Sequence, residues 1–220
     1  MKAATAYEYQ PPLFGECPIE QAVHAMAHAG IAERGAIFTR TEVVEFILDL
    51  AGYDPALPLH TKRLLEPSFG GGDFLFPAIE RLLTSYRLHG GSNAEVDLIG
   101  AIQAVELHHH SVTETGQALE RMLIEHGLTP HAAATLRKAW LFQGDFLLTE
   151  FDDRFDFVVG NPPYVRQELI ADALMAEYRR RYRTIYDRAD IYIPFIERSL
   201  DLLNPGGVLG FICADRWMKN

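Results

Sequence analysis

Short runs of apolar residues alternate along this 220-residue chain with longer segments whose apolar residues recur at helical spacing. The short runs are typical of buried strands, and the longer segments are typical of amphipathic helices packed on a sheet. Strands that alternate with helices in this way predict a parallel, doubly wound α/β sheet. The predicted strands cover residues 62–66, 95–107, 139–146, 155–160 and 208–213, and the predicted helices cover residues 39–52, 74–88, 110–126 and 189–203, after a first helix that opens at Pro18.

Carboxylates stand at or just after the ends of three successive predicted strands, at Glu66, Glu106 and Asp145. Each of them alone could be a solvated acid. Because ligands bind beyond the carboxyl ends of the strands in open α/β sheets, we expect the three to share one cleft. The glycine-rich turn after Glu66 lacks both the dinucleotide fingerprint and a phosphate-binding lysine. A carboxylate there favours a cationic ligand, and S-adenosylmethionine carries an ammonium and a sulfonium but no phosphate.

The next two strand ends carry groups that suit a nucleoside. A carboxylate in the position of Glu106 can accept hydrogen bonds from both ribose hydroxyls. Asp145 is followed by Phe146, and a carboxylate beside an aromatic ring suits the amine and the face of adenine.

The predicted fourth strand ends at Asn161-Pro162-Pro163-Tyr164. Two consecutive prolines remove two backbone donors and fix φ, so the chain has to leave the sheet there. An amide side chain, a stiff backbone carbonyl and an aromatic ring are therefore expected together at the carboxyl end of this strand.

Thr39 and Glu42, three residues apart, predict a capping box at the start of a helix that Gly52 closes. The predicted apolar face of this helix includes Phe46 and Leu50. One interpretation is an ordinary amphipathic helix. The other is that the helix start offers its N–H groups to an anion such as a carboxylate.

The net charge of −10 argues against a chain that grips nucleic acid by itself, since phosphate contacts supply much of that affinity. It does not argue against action on a base that another module delivers. One basic cluster, residues 179–183, is interleaved with Tyr178, Tyr182 and Tyr186. We favour a phosphate-contacting loop over a solvated helix face for it.

The chain shows neither a signal peptide nor an apolar run of membrane-spanning length, and we expect a cytoplasmic protein. Cys17 and Cys213, far apart and without metal-type spacing, are expected to be reduced thiols. The run of histidines at residues 108–110 has diverging neighbours and no cysteine nearby, so we expect no metal.

The order of these motifs resembles the gamma-class N6-adenine DNA methyltransferases, and most of all the large type II and phage-defence enzymes. The resemblance runs from about residue 35 to the end of the chain. Asn-Pro-Pro-Tyr alone also occurs in protein-glutamine and some RNA methylases, whereas the motifs together are specific. They are Phe38-Thr39, Glu66-Pro-Ser-x-Gly-x-Gly-x-Phe74, Glu106, Asp145-Phe146 and Asn161-Pro-Pro-Tyr-Val-Arg-Gln-Glu168.

The resemblance implies a Rossmann-like S-adenosylmethionine-dependent methyltransferase fold and a role for each motif. Thr39 would help to hold the methionine carboxylate of the donor, and Glu66 would face its ammonium. Asn161 and the carbonyl of Pro162 would accept hydrogen bonds from N6 of a flipped adenine in DNA, on which Tyr164 stacks. The implied cofactor-binding set is Thr39, Glu66, Ser68, Gly70, Gly72, Phe74, Glu106, Asp145 and Phe146.

The family continues beyond the point that matches residue 220, with a closing hairpin, a second aromatic residue and a target-recognition domain. We therefore expect a helical extension over residues 1–34 and a C-terminally truncated catalytic domain over residues 35–220. DNA is the expected partner, with specificity supplied by the missing recognition domain, and restriction or phage-defence subunits are further candidate partners. Two alternatives stay open: an RNA or protein-glutamine N-methyltransferase, and a cofactor-binding module inactive without the missing part.

Overall fold

A five-stranded parallel sheet forms the centre of the molecule in the computed structural model, which describes residues 17–28, 39–186 and 190–213. The strands lie in the order β3-β2-β1-β4-β5, so the chain changes direction across the sheet between β1 and β4. Ligand crevices form at such a switch point. The predicted doubly wound α/β fold is confirmed. The strands are β1 (Leu64–Glu66), β2 (Ile102–Glu106), β3 (Leu141–Gln143), β4 (Phe155–Gly160) and β5 (Leu203–Phe211).

Helices cover both faces of the sheet, because successive strand residues point to opposite sides. Leu64 belongs to one apolar core, with α2, α3, α5 and α6. Leu65, the next residue, belongs to the other core, with α1, α7 and α8. The helices are α1 (Pro18–Ala27), α2 (Thr41–Ala51), α3 (Leu75–Leu88), α4 (Ala94–Asp97), α5 (His109–Glu125), α6 (Pro130–Trp140), α7 (Asp172–Arg181) and α8 (Tyr192–Asp201), with short 3-10 turns at Leu59–Thr61 and Gln167–Leu169.

The helix predicted from residue 39 begins two residues later than expected, at Thr41 in α2. Gly52 ends it in the left-handed conformation, with φ of 73°, as predicted. Phe46 and Leu50 are 60% and 71% exposed, so the prediction that they lie on the buried face of the helix was wrong. The buried residues of α2 are Val44, Leu48 and Ala51, because the helix meets the sheet along that narrower stripe.

The second strand is much shorter than the predicted span of residues 95–107. Its pairing with β1 begins only at Ile102, opposite Leu64. Residues before this point have no strand beside them, and the chain forms α4 instead. Trp140 holds the segment that follows α4 by donating its indole N–H to the carbonyl of Leu98 at 2.9 Å.

The strand predicted over residues 139–146 also shortens, because α6 continues to Trp140 and leaves only Leu141–Gln143 as β3. The prediction omitted α6, although Thr129 caps it: the Thr129 hydroxyl accepts the Ala132 N–H at 3.1 Å. Pro130 then occupies the first helical turn, where its missing N–H costs little.

The last strand begins earlier than residue 208. Phe155 pairs with Leu203, and the pairing resumes at Phe157 with Val208 after a register shift. Residues 204–207, between the predicted helix and the predicted strand, therefore form a bulge within β5, and Gly206 accommodates it with φ of 81°.

Several predictions lie outside the described residues: Phe38, the boundary at residue 34, the start of the predicted helix at residue 189, and residues 214–220. Cys17 and Cys213 are free cysteines, the first exposed and the second half-buried. None of the helices within the described ranges combines the length and apolar character that a membrane span needs.

Candidate functional site

One cavity of about 300 Å³ lies at the carboxyl ends of the strands. Residues that follow β1, β2, β3 and β4 all contribute to its walls. Of the residues predicted from sequence, the lining includes Thr39, Glu66, Ser68, Gly70, Phe74, Glu106, Asp145, Phe146 and Asn161. Gly72, Pro162 and Tyr164 lie outside that lining.

The glycine-rich turn after β1 is shaped by two left-handed residues, Gly70 with φ of 49° and Gly72 with φ of 89°. A side chain is disfavoured at such φ values. At Gly72 a Cβ atom would also come within 2.4 Å of the Phe76 ring. Gly72 therefore allows α3 to begin close to the turn, rather than forming part of the cavity wall.

Glu66 supplies a buried carboxylate to the cavity. Its side chain is 2% exposed, and its Oε2 atom has no hydrogen-bond partner among the residues that the structure describes. Burial raises the pKa of Glu66 well above its usual value, and the charges of Glu106 and Asp73 raise it further. An acid in this position is matched by a cationic ligand, which would restore the ionised form.

Glu106 is held by two backbone donors, one to each oxygen. The Gly70 N–H donates to Oε2 and the His108 N–H donates to Oε1, both at 2.8 Å. Each carboxylate oxygen retains further acceptor capacity, so neighbouring ligand hydroxyls can still bind. The carboxylate is thus presented to the cavity in a fixed orientation.

Asp145 and Phe146 form the wall that follows β3. The Asp145 Oδ1 atom accepts the Leu147 N–H at 2.8 Å, and its Oδ2 atom accepts the hydroxyl of Tyr178. Burial raises the pKa of Asp145, and the hydrogen bonds from Tyr178 and Leu147 counter that rise. Phe146 is buried against Phe195, with ring centroids 4.9 Å apart.

Thr39 does not cap α2, and that prediction was wrong. Arg40 occupies the N-cap position, and no side-chain cap is found for α2 in the described part of the chain. The Thr39 N–H instead donates to Asp73 Oδ2 at 2.7 Å, and the Thr39 hydroxyl accepts from Asn161 Nδ2 at 3.1 Å. The residue therefore joins the glycine-rich turn to the end of β4.

The corner after β4 leaves the sheet at Asn161, as the two prolines predict. Pro162 is buried, and Pro163 lines the cavity. The half-buried Tyr164 donates its hydroxyl to the carbonyl of Ile212 at 3.3 Å, and its ring lies 5.9 Å from that of Tyr192. Asn161 thus stands at the cavity, with the aromatic residues beyond it.

Asp73 and Tyr178 are among the cavity residues that were not predicted from the sequence. The sequence assigned Asp73 only to the glycine-rich turn, yet Asp73 lines the cavity and accepts a hydrogen bond from the backbone N–H of Thr39. Tyr178 was grouped with a basic surface cluster, yet it lines the cavity and contacts Asp145. The i, i+4 spacing of Tyr178 and Tyr182 was the available signal, since both rings are buried, one within α7 and one directly after it.

The prediction that the basic cluster forms a loop was also wrong, because Arg179–Arg181 form the last turn of the helix α7. Glu177 pairs with Arg180 at 2.6 Å and with Arg181 at 2.7 Å. Contact of this cluster with phosphate stays a prediction. Within the ranges 17–28, 39–186 and 190–213, no three His, Cys, Asp or Glu side chains are grouped as a metal site requires.

Residues 101–220, more than half of the chain, match the model of the Eco57I restriction-modification methylase family. The chain is 59% identical over 222 residues to the type II methyltransferase M.PaeR7I of Pseudomonas aeruginosa, covering 100% of this chain and 39% of that protein. It is 55% identical over 190 residues to M.XhoI, a type II methyltransferase of Xanthomonas vasicola, covering 86% of this chain and 35% of that protein. The chain therefore spans less than two-fifths of the length of these relatives.

A solved structure from Listeria monocytogenes, assigned to the class I S-adenosylmethionine-dependent methyltransferases, superposes with a TM-score of 0.54 at 15% identity. The match covers 90% of this chain and 52% of that one, and it shows a common fold. With the family match over residues 101–220 and a sheet whose strand ends build one cavity, the chain belongs to the Eco57I restriction-modification methylase family.

Proposed function

We propose that this chain is the donor-binding and catalytic part of a DNA methyltransferase that transfers a methyl group from S-adenosylmethionine to N6 of a flipped adenine. The observation that carries the proposal is the position of Asn161 on the same cavity as Glu66, Glu106 and Asp145. A donor site and an acceptor for an amine are then next to each other. The type II methyltransferase relatives support DNA as the substrate.

The cavity residues fit the donor's chemistry. The carboxylate of Glu66, whose Oε2 lacks a partner in the described structure, suits the methionine ammonium. Glu106, oriented by two backbone N–H groups, suits the ribose hydroxyls. Asp145 and Phe146 suit the amine and one face of the adenine. The bound donor supplies an electrophilic methyl group on a sulfonium.

In this proposal Thr39 contacts the donor only through its hydroxyl group. Its N–H is bound to Asp73, and its hydroxyl oxygen accepts a hydrogen bond from Asn161. The hydroxyl proton can still be donated to the methionine carboxylate. Thr39 would then contact the donor and the acceptor residue at once.

Asn161 and the carbonyl of Pro162 would act on the target base. An exocyclic adenine amine is a poor nucleophile because its lone pair is delocalised into the ring. Two acceptors directed at its hydrogens favour a tetrahedral nitrogen and stabilise the positive charge that develops there. Holding this nitrogen close to and in line with the donor methyl is proximity catalysis.

A base inside a duplex has to be flipped out to reach the cavity, at a cost of about a few kcal/mol. We propose that Tyr164 offsets part of this cost by stacking, which contributes about 1–3 kcal/mol per base. Its position beyond the cavity lining suits a base that enters from outside.

We further propose that residues 35–220 form the catalytic domain, after a helical extension over residues 1–34. Sequence-specific contacts with DNA would come from another part of a longer protein. The net charge of −10 supports a separate DNA-binding part.

Two measurements test the proposed function. Calorimetric titration of the chain with S-adenosylmethionine is expected to show one site. Transfer of tritiated methyl groups, offered DNA, RNA and protein together, is expected to label DNA, and nucleoside analysis should identify N6-methyladenine. Label in RNA or protein would overturn the DNA assignment. Donor binding without any transfer would favour the cofactor-binding module instead.

A further inference from the structure

The loop that follows β3 is held by residues of α7 and α8. Tyr178 donates its hydroxyl to Asp145 Oδ2. One turn later, Tyr182 donates its hydroxyl to the carbonyl of Leu147 at 2.5 Å. Arg198 of α8 donates to the same carbonyl at 2.7 Å. These contacts hold the side chain of Asp145 and the backbone of Leu147, the two neighbours of Phe146.

Tyr178 differs from Tyr182 in what its hydroxyl contacts. Both rings are buried, and Tyr178 alone of the two lines the cavity. The hydroxyl of Tyr178 donates to a carboxylate, whereas that of Tyr182 donates to a backbone carbonyl and accepts from Arg198 at 2.5 Å. Tyr182 directly follows α7, four residues after Tyr178, so the two residues provide a matched pair of buried phenols.

The Asp145 carboxylate receives one donor on each oxygen, from Leu147 and from Tyr178. Burial raises the pKa of Asp145, and these two hydrogen bonds, together with the charges of Arg198 and Arg181, counter that rise. The pKa of Tyr178 is raised well above its usual value by burial and by the charge of Asp145, so the phenol keeps its proton and remains the donor. In its ionised form Asp145 is a pure acceptor.

The protonation state of Asp145 decides which purine edge it matches. An ionised carboxylate accepts from the 6-amino group of an adenine. A protonated carboxyl can instead donate to the 6-oxo group of a hypoxanthine. An adenosyl ligand and its deaminated inosyl counterpart are therefore distinguished by the charge at this one residue.

We propose that Tyr178 is a positioning residue that keeps Asp145 an ionised, oriented acceptor and so gives the cavity its preference for adenosyl over inosyl ligands. This inference rests on the proposed function, since it places the donor's adenine beside Asp145. It adds a residue of α7 that sets the selectivity of the donor site through another side chain.

The test compares Tyr178→Phe with the matched control Tyr182→Phe. Affinities for S-adenosylhomocysteine and S-inosylhomocysteine are measured by calorimetry between pH 5 and pH 9. The unaltered protein is expected to bind the adenosyl ligand at least about tenfold more tightly, and Tyr178→Phe is expected to lose about tenfold of that ratio. Tyr182→Phe should keep the ratio. In Tyr178→Phe the loss should deepen as the pH falls, because Asp145 takes up a proton at a higher pH.

A double-mutant cycle separates positioning from a general loss of structure. In an Asp145→Asn background, Tyr178→Phe should have no further effect on the ratio, because the carboxylate through which it acts is gone. An effect of the same size in both backgrounds would contradict the proposal.

The remaining outcomes are also decisive. An unchanged ratio and pH profile in a folded Tyr178→Phe protein overturns this inference and leaves the proposed function intact. If Tyr178→Phe does not fold, Asp145→Asn alone has to bring the ratio to about one, and an unchanged ratio overturns the inference. Failure of the unaltered protein to bind either ligand overturns the proposed function, and this inference with it.

Discussion

Replacing Glu66 with glutamine removes the charge from the most deeply buried acid of the cavity while keeping its shape. In the ligand-free protein, Oε2 of Glu66 is buried without a partner among the described residues. Burial and the charges of Glu106 and Asp73 raise its pKa. We expect Glu66→Gln to stabilise the ligand-free protein and to weaken its binding of the donor.

The stability change has a definite sign and pH dependence. Because the pKa of Glu66 is higher in the folded state than in the unfolded state, the stability it contributes is complete below the unfolded pKa. That contribution is lost as the pH rises through the folded pKa. Glutamine does not titrate, so the advantage of Glu66→Gln should be small at acid pH and should grow towards neutral pH.

Both side chains leave a buried polar group unsatisfied, so the advantage comes from ionisation alone, about 1.4 kcal/mol for each pH unit above the unfolded pKa, or about 1–3 kcal/mol over one to two such units. For a chain of this length, about 2–4 °C of melting temperature corresponds to each kcal/mol. At neutral pH we therefore expect the melting temperature to rise by about 2–12 °C. Thermal unfolding followed by circular dichroism across a pH series measures it.

The effect on the donor has the opposite sign. A hydrogen bond to a charged group contributes about 1.5–3 kcal/mol. Loss of the contact with the ammonium should therefore lower the affinity for S-adenosylmethionine about 10- to 150-fold. Glu125→Gln, an exposed acid outside the cavity lining, is the control and should change neither property. A Glu66→Gln protein that is less stable at neutral pH, or that binds the donor unchanged, would refute this account of the site.

Three further predictions test other parts of the site. Asn161→Ala should abolish methyl transfer while donor affinity by calorimetry stays close to that of the unaltered protein, and an active variant would remove Asn161 from the reaction. Glu106→Ala should weaken donor binding at least about tenfold, since it removes a fixed charged acceptor; unchanged affinity would exclude it from the donor site. Gly72→Ala should lower the melting temperature more than Gly70→Ala, because both strain a left-handed φ but only Gly72 would also drive a Cβ into Phe76. Equal losses would show that this packing does not matter.

The sequence by itself determined those boundaries of strands and helices that are set by a residue at the boundary, rather than by contacts with distant parts of the chain. The fourth strand ends where it was predicted because two prolines cannot continue the hydrogen-bond ladder. The C-terminus of α2 was predictable because the residue that ends it adopts the left-handed conformation, and glycine, here Gly52, does so without strain. The alternation of strands and helices likewise determined a parallel sheet, and a parallel sheet brings Glu66, Glu106 and Asp145 to one edge.

Tertiary structure decided the rest, because the partners concerned are remote in the chain. Residues 95–101 have a strand-like pattern, yet β2 begins only where β1 provides a partner at Leu64. Thr39 has the sequence of a helix cap, yet its hydroxyl meets Asn161, 122 positions away. The sequence places Tyr178 within a basic cluster. In the structure its ring is buried at the cavity, and its hydroxyl donates a hydrogen bond to Asp145. Side-chain periodicity defines which faces are apolar, but only the folded chain defines which polar atoms meet between them.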